Sequence, residues 1–70
     1  MENSKKHRFF VDLIYNDNTS TDFYVELEGK EHEIMALLDM ITRGTLRASS
    51  AYQATAYRLD GFPICSYINR

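Results

Sequence analysis

The chain has 70 residues, of which 44% are hydrophobic and 26% charged, and its formal net charge is −2 at pH 7. A chain of this length holds one small domain, and this composition is typical of a folded globular protein. The slight acidic excess argues against direct DNA or RNA binding, which usually needs a basic surface. We therefore predict a single domain over residues 1–70, with residues 1–5 as a flexible tail.

The cysteine content and the first residues of the sequence are used to predict the cellular compartment. The only cysteine, Cys65, has no partner for an internal disulfide. The opening residues, MENSKKHR, are polar and do not resemble a secretory signal peptide. No apolar run approaches the roughly 20 residues that a membrane-spanning helix needs. The sequence predicts a cytoplasmic protein without a membrane role.

The first part of the chain alternates as β-strands do. In KHRFFVDLIY, residues 6–15, one face is entirely apolar and the other is mixed. The turn-forming cluster NDNTS, residues 16–20, is predicted to close a hairpin. Residues 21–28 alternate again, with one apolar face and one acidic face, which indicates a strand with one side buried.

Between Glu31 and Arg43 the apolar spacing becomes that of an amphipathic helix. The predicted buried stripe consists of Ile34, Leu37, Leu38 and Ile41. Glutamates in the first turn and Arg43 in the last suit the helix dipole. Gly44 is predicted to end the helix, and TLRASS, residues 45–50, to be a polar connector.

A second hairpin is predicted from residues 51–59 and 62–68, because Asp60-Gly61 between two apolar runs favours a two-residue type I′ turn. This turn would place Leu59 opposite Phe62. Pro63 has no N–H for the sheet, so its strand is predicted to be an edge.

The predicted register of this hairpin then follows from the turn. Tyr57 would pair with Ile64 on the bulky face near the turn, and Ala56 with Cys65 on the smaller face.

The element order ββαββ predicts an α+β fold with a four-stranded antiparallel sheet in the order 2-1-3-4 and one helix packed on one face. A single helix covers only one face of the second hairpin. It covers either the bulky face that carries Leu59 and Phe62 or the small face that carries Ala54, Cys65 and Tyr67. The uncovered face keeps apolar side chains in water.

No motif in the sequence indicates an active site. His7 and His32 have no cysteine or second histidine at metal-ligand spacing, and Cys65 is predicted to be a packing residue. The serines and glycines form neither a nucleophile elbow nor a phosphate-binding loop. We expect no enzymatic activity, no cofactor, no metal and no small-molecule ligand.

Two groups of side chains are candidates for contact with a partner protein. The predicted contact residues are Asp22, Tyr24, Glu26 and Glu28, which form an acidic strip, and the apolar anchors Tyr52, Tyr57, Ile64 and Tyr67. The uncovered sheet face, with Phe10 and Ile14 of the first strand, would join the tyrosines into one patch. Carboxylates in a row attract a basic partner or stand in for phosphates. The alternatives are ordinary surface tyrosines and an acidic edge that discourages strand pairing.

In size, mild acidity and ββαββ outline, the chain resembles the small phage-encoded inhibitor proteins, including anti-CRISPR proteins. This resemblance implies inhibition by occlusion of a basic, nucleic-acid-binding or protein-binding surface, without an active site. It carries no functional residue across. The alternative function is a small nucleic-acid-associated regulator, with a homodimer formed through the open sheet face. Its basic residues would be Lys5, Lys6, Arg8, Arg43, Arg47 and Arg58.

Overall fold

The structure is a computed structural model that describes residues 5–69. Its elements in chain order are β1 (Lys5–Ile14), β2 (Ser20–Gly29), α1 (Glu31–Ser49), β3 (Gln53–Arg58) and β4 (Pro63–Ile68). The strands form one antiparallel sheet in the order β2-β1-β3-β4, and α1 packs on one face. The predicted α+β fold and strand order are confirmed.

The predicted flexible tail, residues 1–5, overlaps the described part of the chain only at Lys5. β1 begins at Lys5, and the rest of the predicted flexible tail, residues 1–4, lies outside the described residues. Within residues 5–69, no helix has both the length and the apolar character needed to cross a bilayer.

The core lies between α1 and the face of the sheet on which the second hairpin carries small side chains. The buried apolar residues are Phe9, Val11, Leu13, Ile34, Leu38, Leu46, Ala51, Ala54 and Ala56. Ala54 and Ala56 of β3 are fully buried, and their short side chains let the helix pack close to the sheet. The helix therefore covers the small face, and the opposite face of the sheet is open.

The helix is longer than predicted. It continues through Gly44 to Ser49, and Ser50 caps it in the left-handed conformation with φ 62°. Its buried residues are Ile34, Leu38, Thr42 and Leu46, spaced every four positions. Burial of Leu46 contributes about 1.5–3 kcal/mol, which exceeds the cost of about 1 kcal/mol for glycine inside a helix. The predicted end at Gly44 was wrong for this reason.

The predicted buried stripe was also partly wrong. Leu37 is 43% exposed, and Ile41 is only half-buried. Thr42 occupies the buried position because its hydroxyl donates a hydrogen bond of 2.7 Å to the Leu38 carbonyl. The polar group is thereby satisfied inside the helix.

Both hairpins close with the same three-residue loop. In the first, the Tyr15 N–H donates to the Thr19 carbonyl at 2.9 Å, and Asn18 has φ 72°. In the second, the Arg58 N–H donates to the Phe62 carbonyl at 2.9 Å, and Gly61 has φ 94°. This is a type I turn followed by a left-handed residue, the common three-residue hairpin connection.

The predicted two-residue turn at Asp60-Gly61 was therefore wrong. Of these two residues only Gly61 has a positive φ, and the Asp60 carboxylate accepts a hydrogen bond of 3.1 Å from the Phe62 N–H. This contact and the ion pair with Arg58 hold the pKa of Asp60 below its usual value. The loop is fixed by that side chain rather than by a second left-handed residue.

The longer loop changes the register only near the turn. Arg58, not Leu59, bonds with Phe62, and Tyr57 pairs with Pro63 instead of Ile64. A register shift after Ala56 restores the predicted pairing for the rest of the hairpin, beginning with Ala56 opposite Cys65.

Gly44→Ala and Gly61→Ala are expected to change stability in opposite directions. A methyl group at Gly44 meets no atom within 4 Å, so alanine in this helix interior should stabilise the protein by about 0.5–1 kcal/mol. At Gly61, where φ is 94°, alanine should destabilise it by about 1–2 kcal/mol. Urea denaturation followed by circular dichroism measures both. A loss of stability in Gly44→Ala would mean that the helix ends at this glycine after all.

Candidate functional site

The open face of the sheet carries an aromatic row, formed by Tyr24, Phe10 and Tyr57 on three adjacent strands. Phe10 of β1 lies opposite Tyr24 of β2 and Tyr57 of β3. Its ring centroid is 5.0 Å from that of Tyr57 with the planes 19° apart, and 6.0 Å from that of Tyr24. Tyr24 is 70% exposed. The row is a continuous apolar surface across most of the sheet width.

Beside the aromatic row lies a carboxylate pair, Asp12 and Asp22. The two residues are directly opposite each other on β1 and β2, where like charges repel. Thr55 of β3 pairs with Asp12 on the other side, and its hydroxyl lies 2.9 Å from that of Ser66. The open face thus has an acidic and hydroxyl-lined region next to its aromatic region.

On the other side of the aromatic row, the acidic strip faces basic residues. Arg8 lies opposite Glu26, and Lys6 lies opposite Glu28. The charges of this end of β2 are therefore largely balanced across the hairpin. Only at Asp22, whose partner is Asp12, does the strip remain strongly acidic.

The structure brings some of the predicted contact residues together and separates others. Tyr24 and Tyr57 stand in the aromatic row, and Asp22 belongs to the carboxylate pair. Tyr52 lies just before β3 with its side chain exposed. Ile64 and Tyr67, in contrast, are partly buried and pack against the core. They are not part of the open face.

One residue of this surface was missed by sequence reasoning. Alternation alone places Asp12 on the mixed face of the first strand, and only the pairing of β1 with β2 puts it opposite Asp22. The length of the hairpin loop determines this pairing. A three-residue loop between Tyr15 and Thr19 fixes which residue of β2 lies opposite each residue of β1, and so places Asp22 opposite Asp12.

Tyr67 instead links the helix to the sheet edge. Its hydroxyl donates a hydrogen bond to the Asp39 carboxylate. Arg43 forms an ion pair of 2.7 Å with Asp39 and lies 5.6 Å from the centroid of the Tyr67 ring. The hydrogen bond to Asp39, together with burial, raises the pKa of Tyr67 above its usual value. These three side chains tie α1 to β4.

Tyr67→Phe is expected to change how stability depends on alkaline pH. Because the folded protein holds this hydroxyl protonated, its contribution is complete below the ordinary tyrosine pKa of about 10 and is lost as pH rises above that value. The wild-type free energy of unfolding should therefore fall more between about pH 8 and pH 11 than that of Tyr67→Phe. Urea denaturation at each pH measures this. Tyr24→Phe controls for loss of a hydroxyl on the open face, and an equal fall in Tyr67→Phe and wild type would contradict the prediction.

Cys65 is half-buried between the sheet and the helix, as its predicted packing role requires. Its sulfur lies 3.9 Å from the Thr42 hydroxyl. Burial raises the pKa of the Cys65 thiol, so the reactive thiolate is scarce at neutral pH. This environment is that of a structural cysteine rather than a nucleophile.

A groove of about 740 Å³ lies near the start of α1. Its apolar floor includes Phe9, Ile34 and Met35, and its rim carries charges of both signs, such as Arg8 and Glu31. Among residues 5–69, no three His, Cys, Asp or Glu side chains group together in a way that could hold a metal ion.

The fold and this surface define a small single-domain α+β protein whose antiparallel sheet has one face packed under a helix and the other open. No protein-family model, no curated protein and no solved structure matches the chain.

Proposed function

We propose that this protein is a non-enzymatic binding module that contacts another protein through the open face of its sheet. The proposal rests on the aromatic row of Tyr24, Phe10 and Tyr57. Tyrosine and other aromatic side chains are enriched at the centres of protein interfaces, where they supply contact area at low entropic cost. A row that spans three strands offers contact area of this kind, and Tyr24 within it is 70% exposed.

The carboxylate pair is an argument for a partner whose surface is basic. Asp12 and Asp22 lie opposite each other on β1 and β2, and neither takes part in the ion pairs found among the described residues, which are Arg43–Asp39 and Arg58–Asp60. An arginine or lysine of a partner would relieve the repulsion between the two carboxylates and gain charge-assisted hydrogen bonds. The partner surface that suits this site therefore combines apolar side chains with arginine or lysine.

A partner of this chemistry fits a function as an inhibitor that occludes a basic surface of a host protein. The outline of the chain resembles small phage-encoded inhibitors of the anti-CRISPR type, which need no active site or cofactor. We place the protein in the cytoplasm, where basic nucleic-acid-binding complexes are found. The mechanism would be steric and electrostatic competition at the partner's basic surface.

The same surface is poorly suited to nucleic acid. The rings of Phe10 and Tyr57 stack on each other, so one face of each ring is already occupied and only the other is left to stack on a base. The carboxylate pair also repels phosphates. Two of the basic residues of the nucleic-acid alternative, Arg43 and Arg58, are already in ion pairs with aspartates.

The test compares variants of the open face in partner capture and binding. Tagged protein is incubated with extract of its native cell, partners are identified by mass spectrometry, and the purified partner is titrated by calorimetry. The double variant Tyr24→Ser, Tyr57→Ser should bind at least about tenfold more weakly. Met40→Ser removes an apolar side chain that is 62% exposed on the helix, and this matched control should bind like wild type.

Charge variants test the acidic half of the proposal. Asp22→Lys, alone or with charge reversal at Glu26 and Glu28, should weaken binding and reduce its salt dependence. Unchanged affinity in both the tyrosine and the charge variants would refute the proposed function. Capture of nucleic acid alone, with affinity that falls steeply as salt is raised, would favour the alternative function.

A further inference from the structure

The outer edge of β2 is the less protected of the two sheet edges. β2 is ten residues long and is the first strand of the sheet, with β1 as its neighbour among the described residues. Its register with β1 is continuous over ten pairs, and none of its residues is buried. β4, at the other edge, has six residues, begins with Pro63 and contains a register shift. A long, regular edge without proline or bulge is a template for strand addition.

The hairpin geometry shows which backbone groups of β2 point away from the sheet. Because the Tyr15 N–H bonds to the Thr19 carbonyl, hydrogen-bonded pairs alternate with non-hydrogen-bonded pairs from there along the strands. Val11 and Phe23 therefore exchange backbone bonds, whereas residues of the intervening pairs do not. The outward N–H and C=O groups belong to Ser20, Asp22, Tyr24, Glu26 and Glu28.

The side chains beside this edge divide into two kinds. Apart from Ser20, the residues with outward backbone groups are those of the acidic strip, which lies on the open face. On the other face, Phe23, Val25 and Leu27 are only half-buried and pack at the margin of the core. An added antiparallel strand would bring one set of its side chains beside carboxylates and the other set beside apolar groups.

We propose that the β2 edge accepts an extended segment of a partner protein, in which basic residues alternate with apolar ones, as a fifth antiparallel strand. This recognition mode is β-strand addition. The inference rests on the proposed protein-binding function and specifies the form and chemistry of the partner. Basic residues of the segment lie beside Asp22, Glu26 and Glu28, and its apolar residues extend the row of Phe23, Val25 and Leu27.

A second copy of the chain is a poorer occupant of this edge. Antiparallel pairing of two β2 strands about Val25 places Asp22 opposite Glu28 of the second copy, and pairing about Tyr24 places it opposite Glu26. Like charges directly opposite each other destabilise a strand pair. Charge complementarity, which is strongest at Asp22 because its partner on β1 is Asp12, thus favours a basic segment over self-association.

The experiment uses a capped peptide of about ten residues, the length of β2, in which arginine alternates with valine. Binding to the full chain is followed by fluorescence anisotropy, and amide hydrogen exchange is followed by NMR. Bound peptide should slow exchange at the outward amides of Asp22, Tyr24 and Glu26 by at least about tenfold, since these are the amides that become hydrogen-bonded. Replacing the arginines by glutamates should abolish binding.

Backbone methylation of the peptide makes the test specific for strand addition. In the proposed register the arginines lie opposite the outward residues of β2, so their N–H groups donate to it. N-methylation of the arginines should weaken binding at least about tenfold, while N-methylation of the valines, on the far edge, should leave it unchanged.

A pair of variants repeats the test from the protein side. Glu26→Pro removes an outward N–H that β1 does not use, and Glu26→Gln removes only the charge. The proline variant should bind the peptide at least about tenfold more weakly than the glutamine variant.

Several results would overturn this inference while leaving the proposed function intact. They are absence of peptide binding, binding without slowed exchange at the outward amides of β2, and equal binding of the arginine-methylated and parent peptides. Slowed exchange at these amides in the protein alone, together with concentration-dependent sedimentation, would assign the edge to a second copy instead. The proposed function itself fails only if the tyrosine and charge variants of the open face bind the native partner as wild type does.

Discussion

Leu38→Ala is expected to lower the free energy of unfolding by about 2–5 kcal/mol, the usual cost of removing a fully buried leucine. Leu38 has no exposed surface and lies at the centre of the buried stripe of α1, between Ile34 and Thr42. The surrounding core is small, so few side chains are available to fill the cavity. Because a domain of this size has little more than about 5 kcal/mol of total stability, the variant should be substantially unfolded at room temperature.

The neighbouring residue supplies the control for this prediction. Leu37 carries the same side chain on the same helix but is 43% exposed, so Leu37→Ala should cost less than about 1 kcal/mol. Urea denaturation followed by circular dichroism compares the two variants with wild type. Equal losses from both substitutions would mean that the helix buries the stripe that its periodicity predicts, with Leu37 and Leu38 both in the core.

Ala56→Leu is expected to destabilise the protein by about 1–3 kcal/mol through overpacking. Ala56 is fully buried and lies between Val11 and Cys65 on the covered face of the sheet. A leucine there must displace the helix or force its neighbours into strained rotamers, since interiors are close-packed.

Ser66→Leu adds a leucine to the open face of β4 as the matched control. Ser66 is exposed, and its partner Thr55 keeps a second hydrogen-bonding partner in Gln53. Thermal unfolding should show a clear decrease in midpoint for Ala56→Leu and a much smaller change for Ser66→Leu. The reverse order would contradict the placement of the helix on the small face.

The two core variants also help to interpret the binding experiments. Leu38 of the helix and Ala56 of the sheet are both buried between these two layers. Any loss of partner binding in their variants is therefore expected to result from unfolding. The Tyr24 and Tyr57 substitutions are on the open face and should lose binding while the circular dichroism spectrum stays that of the folded protein. Folding and recognition can therefore be separated in this small domain.

Part of the candidate surface was predictable from alternation along single strands. Tyr24 and Asp22 fall on the same side of β2 because side chains alternate at every residue. Alternation along β2 does not show which residues lie across from it, and in the fold Arg8 and Lys6 face Glu26 and Glu28. The acidic strip is thus less acidic than its own sequence indicates. Charge on a sheet surface is a property of cross-strand pairs.

Ile64 and Tyr67 show a second limit of sequence reasoning. As apolar side chains on a predicted edge strand, they were candidates for partner contact. In the fold Tyr67 reaches Asp39 of the helix, and Ile64 packs at the core margin next to a shifted register. Both positions depend on which face the helix covers, and this choice is made by elements far apart in the chain.

The sequence by itself determined the element order, the strand order and the edge position of β4, because periodicity, turn residues and the missing N–H of Pro63 act locally. Only the tertiary structure decided the end of the helix, the loop type at Asp60 and the covered face. Each of these depends on a contact between distant residues or on one side chain that satisfies a particular backbone group. Burial of Leu46 carries the helix past Gly44, and the small side chains of Ala54 and Ala56 allow the helix to pack closely, which leaves the aromatic row on the open face.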